Sequence, residues 1–251
     1  MKALCVVLFL ALAASAQVKK PEPPAVKPEF SDSLQAVVVT TDGWDTTQGK
    51  ARLFERKDTK SKWKGVGGEF SIAVGRSGMG IDDSGAWEKA VANLVKKEGD
   101  GRSPSGLMPL TYAFGKADKA DTKLKYVKLI EHTECVDDVN SNHYNKIVNR
   151  MQVGAFDWKS SEKMLEITPE YDLGVFVAYN SYPAVKGRGS CIFLHIWESP
   201  GDATSGCTAM SREDLERVVA WLDPKKNPYL IQMPETVYKH YEKTWKLPNL
   251  K

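Results

Sequence analysis

The chain has 251 residues, with 35 Lys or Arg against 32 Asp or Glu, so its formal net charge is only +3. A positive charge this weak, with both signs interspersed along the chain, gives no support for nucleic-acid binding. No stretch beyond the N-terminal segment approaches the ~20 apolar residues of a membrane span, so we expect no transmembrane segment in the mature protein.

Residues 1–16 have the pattern of a secretory signal peptide. A short basic start at Lys2 is followed by an apolar run over residues 3–13 and by Ala-Ser-Ala ending at Ala16, the small-x-small form that signal peptidase cleaves. Cys5 lies near the start of the apolar run, which argues against a lipid anchor at that residue. We therefore expect an exported protein of the periplasm or cell envelope.

Residues 17–33 are rich in proline and charge, a composition typical of a stiff, solvated spacer. Beyond them no segment has linker-like composition and no internal repeat is visible. One domain over residues 34–251 is therefore predicted.

Most of this domain is predicted as short strands. Residues 34–41 and 50–56 are β-rich and lie on either side of the turn-like pairs Asp42-Gly43 and Gln48-Gly49, which indicates a hairpin. Further strands are predicted at residues 70–74, 107–114, 126–130, 173–179 and 191–197.

The run from Cys191 to Trp197 alternates with a period of two. One face of this strand carries Ile192, Leu194 and Ile196. The other face carries Cys191, Phe193, His195 and Trp197.

Helical patterns are fewer. Ser211 and Asp214 form a capping-box pattern, and apolar residues at helical spacing follow until Pro224. Residues 143–153 and 160–167 are predicted as short helices. Because predicted strands outnumber predicted helices, we expect a mostly β (α+β) single domain and not a parallel α/β sheet.

Three cysteines remain after the predicted signal peptide, an odd number for an exported protein. Cys207 lies among small residues, an environment typical of a working thiol, whereas buried structural cysteines have large apolar neighbours. Cys135 and Cys191 are then the default disulfide pair. Two buried, reduced thiols are the alternative.

Cys207 and His195 are the candidate catalytic residues. A thiol becomes a strong nucleophile as thiolate, and an imidazole brought beside it by the small-residue loop can take its proton. We therefore expect a free, low-pKa thiol facing His195. Backbone amides at Ser205, Gly206 and Cys207 are candidates for holding an oxyanion. The structural alternatives are a buried strand histidine and a packed thiol.

Five further residues are candidates for substrate binding. Two of them, Asp137 and Asp138, lie in a polar segment that is equally compatible with ordinary turn and cap chemistry. Aromatic side chains at strand ends also serve in core or rim packing. No Cys or His spacing predicts a metal site. The five candidates are Asp137, Asp138, Tyr144, Asn180 and Trp197.

His195 followed by Thr204-Ser205-Gly206-Cys207 resembles the active-site motif of L,D-transpeptidase (YkuD-type) catalytic domains. The resemblance is to a divergent branch of that family. The segments 99–110 and 189–195 and the helix ending at residues 221–224 are also similar. The resemblance covers about residues 102–228 and implies a mostly β catalytic domain.

The sequence also departs from the family motif. Ser205 stands where the family usually has His, Ala209 where it usually has Arg, and Ile196 where Gly often follows the base. The loop from His195 to Cys207 is shorter than is typical.

The resemblance implies that Cys207 attacks a peptidoglycan stem peptide and forms a thioester, with His195 as base, and that an amine acceptor or water resolves it. This chemistry needs no cofactor and no metal. An L,D-carboxypeptidase or hydrolase acting on the same substrate is one alternative. A non-catalytic domain that binds the cell wall or acts as a scaffold is the other.

Overall fold

The computed structural model describes residues 28–82 and 94–251. The signal peptide predicted at residues 1–16 and the spacer up to residue 27 lie outside the described residues. The described part is mostly β in a single domain, so the predicted fold class is confirmed.

Thirteen strands and three helices are formed by the described residues. The strands are β1 (Gln35–Thr41), β2 (Gln48–Glu55), β3 (Lys64–Ala73), β4 (Met79–Ile81), β5 (Ser103–Gly115), β6 (Lys125–Lys128), β7 (Thr133–Cys135), β8 (Ile147–Asn149), β9 (Glu162–Lys163), β10 (Leu173–Val177), β11 (Phe193–Ile196), β12 (Thr208–Met210) and β13 (Tyr229–Pro234). The helices are α1 (Pro28–Ser31), α2 (Arg212–Trp221) and α3 (Glu235–Tyr241).

The main sheet runs in the order β10-β11-β12-β3-β2-β1-β13-β5-β4 and closes on itself through pairing of β10 with β5. The predicted hairpin is present, since β1 and β2 pair antiparallel. β11 and β12 pair parallel, with His195 opposite Ala209. This pairing brings the cysteine loop, which ends where β12 begins, against the strand that carries the histidine.

The two faces of β11 enter different clusters, as the alternation predicts. Ile192, Leu194 and Ile196 pack in the largest apolar cluster, together with the buried side of α2. Phe193 lies in a separate cluster on the opposite face, which also contains Cys207. The catalytic candidates therefore lie on the face of the sheet turned away from α2.

A small sheet of order β8-β7-β9, here named the covering sheet, supplies residues to the cluster around Cys207. Its centre is Glu134 on β7, which is fully buried. The carboxylate of Glu134 contacts the Lys163 ammonium at 2.6 Å and accepts from Trp158 Nε1 and Ser161 Oγ at 2.7 Å each. A buried carboxylate needs this degree of pairing to remain charged.

The covering sheet replaces the helices predicted at residues 143–153 and 160–167, so that prediction is wrong. Residues 147–149 and 162–163 are strands, and only a 3₁₀ turn at Arg150–Gln152 is helical. Asn145 adopts a left-handed φ of +61°, and the Asn149 side chain caps the 3₁₀ turn. Asn and Ser side chains compete with helical hydrogen bonds in this way, which outweighs the apolar spacing.

The helix predicted after Ser211 is present as α2. Ser211 Oγ accepts from the Asp214 amide at 3.1 Å, which is the expected N-cap bond. Leu215, Val218 and Val219 form its buried side. The helix ends at Trp221, before Pro224.

Residues 28–33 lie in the predicted spacer, yet they pack on the domain. Helix α1 places Phe30, which is 2% exposed, edge-to-face on Tyr229 at 5.5 Å between ring centroids. One aromatic residue after a proline-rich run is enough to anchor the chain, because burying it removes a large apolar area from water. No helix formed by residues 28–82 or 94–251 is long and apolar enough to cross a bilayer.

Candidate active site

The loop before Cys207 is held by hydroxyl groups from two segments. Thr204 Oγ1 accepts the Gly206 amide at 3.0 Å and donates to the Cys207 carbonyl at 2.7 Å. Ser103 Oγ, at the start of β5, donates to the same carbonyl at 2.7 Å. The carbonyl of Cys207 thus accepts two hydroxyl donors, and these fix the orientation of the peptide that leads into β12.

Gly206 is a conformational requirement of this loop. Its φ of +151° lies in the region that L side chains rarely adopt, and a Cβ would lie 3.2 Å from the Arg102 carbonyl oxygen. The amide of Gly206 is already bonded to Thr204, so the prediction that it faces an oxyanion is wrong for this conformation. That the Cys207 amide holds an oxyanion stays a prediction.

The sulfur of Cys207 is free of any disulfide and makes two backbone contacts. It accepts from the Phe193 amide at 3.3 Å, and its S–H donates to the Cys191 carbonyl at 3.4 Å. The side chain is buried, at 7% exposure. Burial raises the pKa of the thiol far above its ordinary value, and the negative charge of Glu162 raises it further.

The expected low-pKa thiol is therefore absent from this conformation, and that prediction is wrong. Small neighbours in sequence leave room around a thiol, but Phe193 and Tyr171 from other segments fill that room. The resting sulfur is a protonated thiol. Three groups favour its ionisation, namely the amide of Phe193, the charge of Lys96 and the hydroxyl of Tyr171.

His195 is held in the tautomer that a general base requires. Its Nδ1 lies 2.7 Å from the carbonyl oxygen of Ile196, so that nitrogen carries the proton and donates it. Nε2 is then the unprotonated nitrogen, with a lone pair to accept a proton. Burial lowers the pKa of His195, which keeps the ring neutral.

The thiol and the imidazole lie on one face of neighbouring strands. Residues 193 and 195 share a face of β11, and the sulfur of Cys207 meets the amide of Phe193. The ring of Tyr171 packs edge-on to His195 at 5.7 Å between centroids, and its hydroxyl faces the sulfur. The structure thus brings both candidate catalytic side chains against the ring of Tyr171, while the sulfur's hydrogen bonds go to the backbone.

Tyr171 joins the thiol to a carboxylate of the covering sheet. Its hydroxyl donates to Glu162 Oε2 at 2.6 Å. Burial raises the pKa of Glu162 to about 7, and the nearby charges of Asp137 and Glu98 also raise it. Both residues are part of the site, although no local sequence pattern identifies them.

A second carboxylate–tyrosine pair lies beside the first. Glu98 Oε2 accepts from the Tyr144 hydroxyl at 2.5 Å and from Ser190 Oγ at 2.7 Å, and the Tyr144 oxygen accepts the Gly189 amide at 3.1 Å. Tyr144 is a predicted substrate-binding residue. Its hydroxyl positions the segment that leads into β11.

Asp137 and Asp138 take part in turns of the covering-sheet segment. Asp138 accepts the amides of Asn140 at 2.9 Å and Lys159 at 2.8 Å. Asp137 accepts from the Ser160 hydroxyl, and its charge acts on Glu162. Of the two carboxylates, Asp137 is the one whose charge raises the pKa of Glu162.

The remaining predicted substrate residues lie at loop positions. Asn180 donates to the carbonyls of Val185 at 2.9 Å and Gly189 at 2.8 Å, so its amide braces the loop between β10 and β11. Trp197 is half-buried just beyond β11, where its amide bonds the Met210 carbonyl.

A cavity of about 620 Å³ opens beside the same loop. Its walls include Tyr112 and Phe176, whose rings stack at 4.9 Å, and Tyr144. Phe176 packs in the cluster that contains Cys207, so the cavity adjoins the site without being lined by the sulfur. Within residues 28–82 and 94–251, no group of three or more metal-ligating side chains is present.

Cys135 and Cys191 form a disulfide, with their Cα atoms 6.0 Å apart. The bond joins β7 of the covering sheet to the residue whose carbonyl accepts the thiol proton. It therefore links the covering sheet to the immediate surroundings of Cys207.

A family model for the YkuD L,D-transpeptidase catalytic domain matches residues 44–244. This span contains Cys207, His195, Tyr171 and Glu162, and it is wider than the resemblance apparent from the motifs. No curated protein and no solved structure gives a significant match to the chain. The match covers most of the sequence, and the chain belongs to the YkuD family of L,D-transpeptidase catalytic domains.

Proposed function

We propose that the protein is an exported thiol enzyme that acts as an L,D-transpeptidase on peptidoglycan stem peptides. The observation that carries this proposal is the placement of a free thiol, Cys207, and a neutral imidazole with an available Nε2, His195, on one face of a YkuD domain. Cys207 is the nucleophile and His195 the base.

The first half-reaction follows from these roles. The thiol proton passes to His195 Nε2 as the sulfur attacks the amide carbonyl carbon of the donor peptide. The amide of Cys207 stabilises the oxyanion. The imidazolium then gives its proton to the nitrogen of the departing D-residue, the C–N bond breaks, and a thioester remains.

The second half-reaction repeats these steps in the opposite order, with the sulfur of Cys207 as the leaving group. An acceptor amine, or water in the hydrolytic alternative, attacks the thioester carbon and gives a proton to His195 Nε2. The C–S bond breaks, and the imidazolium returns a proton to the sulfur. Transfer and hydrolysis differ only in which nucleophile reaches the thioester.

Substrate carboxylate recognition requires a cation that Ala209 does not supply. Ala209 is fully buried and pairs with His195 and Ala73 in the sheet. Arg76 is exposed at the cysteine loop, and its guanidinium donates to Ser205 Oγ at 3.0 Å. We propose that Arg76 provides the positive charge for the donor carboxylate.

Export is proposed from the N-terminal sequence. The basic start, the apolar run and the Ala-Ser-Ala site of residues 1–16 form a secretion signal. A disulfide such as Cys135–Cys191 forms in oxidising compartments and is compatible with export.

Incubation with defined muropeptides distinguishes the alternatives. A transpeptidase gives a cross-linked dimer, a carboxypeptidase gives a monomer shortened by its terminal residue, and a wall-binding domain gives neither product. Cys207→Ala is the matched control, because it removes only the sulfur. Products that persist in this variant would contradict the proposal.

A further inference from the structure

The side chain of Tyr171 is fixed by its neighbours. It is 4% exposed, and its ring packs edge-on to Phe114 at 5.5 Å, Phe193 at 5.3 Å and His195 at 5.7 Å. A ring held on these sides keeps its hydroxyl oxygen at one point. That point lies between the carboxylate of Glu162 and the sulfur of Cys207.

The hydroxyl of Tyr171 has one proton to donate. The hydroxyl also faces the sulfur, where it favours ionisation of Cys207. While Glu162 is ionised, the single proton is donated to Oε2 at 2.6 Å, and the hydroxyl stabilises a thiolate less. When Glu162 is neutral, its own O–H donates to the Tyr171 oxygen. The Tyr171 proton is then available to a thiolate at Cys207.

Charged side chains surround both Glu162 and the sulfur of Cys207. Burial raises the pKa of Glu162 to about 7, and the acidic side chains of Asp137 and Glu98 add to this effect, while the hydrogen bond from Tyr171 opposes it. The sulfur is faced by Glu162, which opposes its ionisation, and by Lys96, which favours it. Glu162 is therefore poised to lose or gain its charge near neutral pH.

We propose that Tyr171 and Glu162 are positioning residues for Cys207: the Glu162 carboxylate holds the sulfur as a thiol, and neutralising that carboxylate turns the Tyr171 hydroxyl toward the thiolate. The inference rests on the proposed function, in which Cys207 is the nucleophile. Glu162 takes its proton from the solvent, and otherwise only O–H···O and O–H···S hydrogen bonds change in this step.

The pH profile of Cys207 alkylation by iodoacetamide tests the inference on the whole protein, with Cys207→Ser as the blank. In the wild type, the logarithm of the rate rises with pH, flattens near pH 7 as Glu162 ionises, and rises again. Glu162→Gln removes this inflection. At about pH 8 it also raises the rate about tenfold, which is the effect of one unit in the thiol pKa.

Access of iodoacetamide to the sulfur scales the alkylation rate equally at every pH, so it does not change the shape of the pH profile. Glu55→Gln is the matched control, because Glu55 pairs with Lys226 at the end of β2. It should leave the profile as in the wild type. An identical profile in the wild type and Glu162→Gln, or a thiol that is unreactive at every pH, would overturn the inference.

Tyr171→Phe separates positioning from packing. It removes the donor to the thiolate but keeps the ring, so it should slow alkylation below the pH at which Glu162 ionises, where the Tyr171 proton is available to the sulfur. Glu162→Gln, by contrast, should accelerate alkylation above that pH. Variants that act only by loosening the site move the rate in the same direction, and that outcome contradicts the inference. Because alkylation needs no turnover, failure of the muropeptide assay remains a separate result.

Discussion

The carbonyl of Ile196 determines which nitrogen of His195 can act as a base. Because that carbonyl lies 2.7 Å from Nδ1, the proton stays on Nδ1 and the lone pair on Nε2. The ring is also buried, which disfavours its charged form. The tautomer and the charge of His195 both favour accepting a proton.

His195→Gln should therefore lower kcat/KM by about 10²- to 10⁴-fold, the usual contribution of a general base. Because the pKa of His195 lies below 6.5, the wild-type activity that depends on it should fall only below that pH. Steady-state kinetics across pH measure both effects. An unaltered kcat/KM in a folded variant would exclude His195 as the base.

Arg76→Gln should raise KM about fivefold with little change in kcat, since an exposed ion pair contributes up to about 1 kcal/mol. The guanidinium stands at Ser205, two residues before the nucleophile in the chain. Lys50→Gln, which removes a surface cation paired with Glu69, is the control. Equal KM values in wild type and Arg76→Gln would remove Arg76 from substrate binding.

At the scale of residues, the sequence predicts which face of the strand carries the candidate side chains, but not their ionisation. The alternation of residues 191–197 places His195 and Phe193 on one face, and the small-residue loop returns the chain to that face at Cys207. The burial of the sulfur depends on Tyr171 and Glu162, which are distant in sequence. No local spacing encodes their contacts.

At the scale of elements, the covering sheet controls the surroundings of the thiol. It contributes Glu162 through β9 and is joined by Cys135 to Cys191. The sequence predicts helices for part of this region, because apolar spacing alone does not register the Asn and Ser side chains that cap turns there. The strands predicted from a β-rich run, such as β1, or from alternation, such as β11, are present.

Replacing both Cys135 and Cys191 by Ser should lower the free energy of unfolding by up to about 4 kcal/mol, since the disulfide closes a loop between residues 56 apart. Denaturant unfolding measures the loss. Cys207→Ser, which breaks no disulfide, is the control for the serine substitutions. A double variant as stable as the wild type would show that the disulfide contributes nothing to stability.

At the scale of the whole molecule, the closed main sheet gives the site a rigid base. Its closure through β10 and β5 follows from long-range pairing that a single sequence does not reveal, although the mostly β class is predictable from strand patterns. The site itself combines β9, β11, the turn before β10 and the loop before β12.

The stability of the protein should depend on the charge of Glu162. Its pKa in the folded protein is raised from 4.5 to about 7, so the folded state holds this proton more tightly than the unfolded chain. The stabilisation from that proton is complete below pH 4.5 and is lost as pH rises through 7. The Tm of Glu162→Gln minus that of the wild type should therefore increase as pH rises from 4.5 through 7. A difference in Tm that stays constant with pH would contradict the raised pKa of Glu162.

The central claim is that Cys207 forms a thioester with the donor peptide. Intact-protein mass spectrometry after brief incubation with a stem tetrapeptide tests it most directly. We predict an adduct of the donor minus its terminal D-residue on the wild-type protein, localised to Cys207 and absent from Cys207→Ala. An adduct of equal yield on Cys207→Ala, or product formation with no adduct on Cys207 under trapping conditions, would contradict the account.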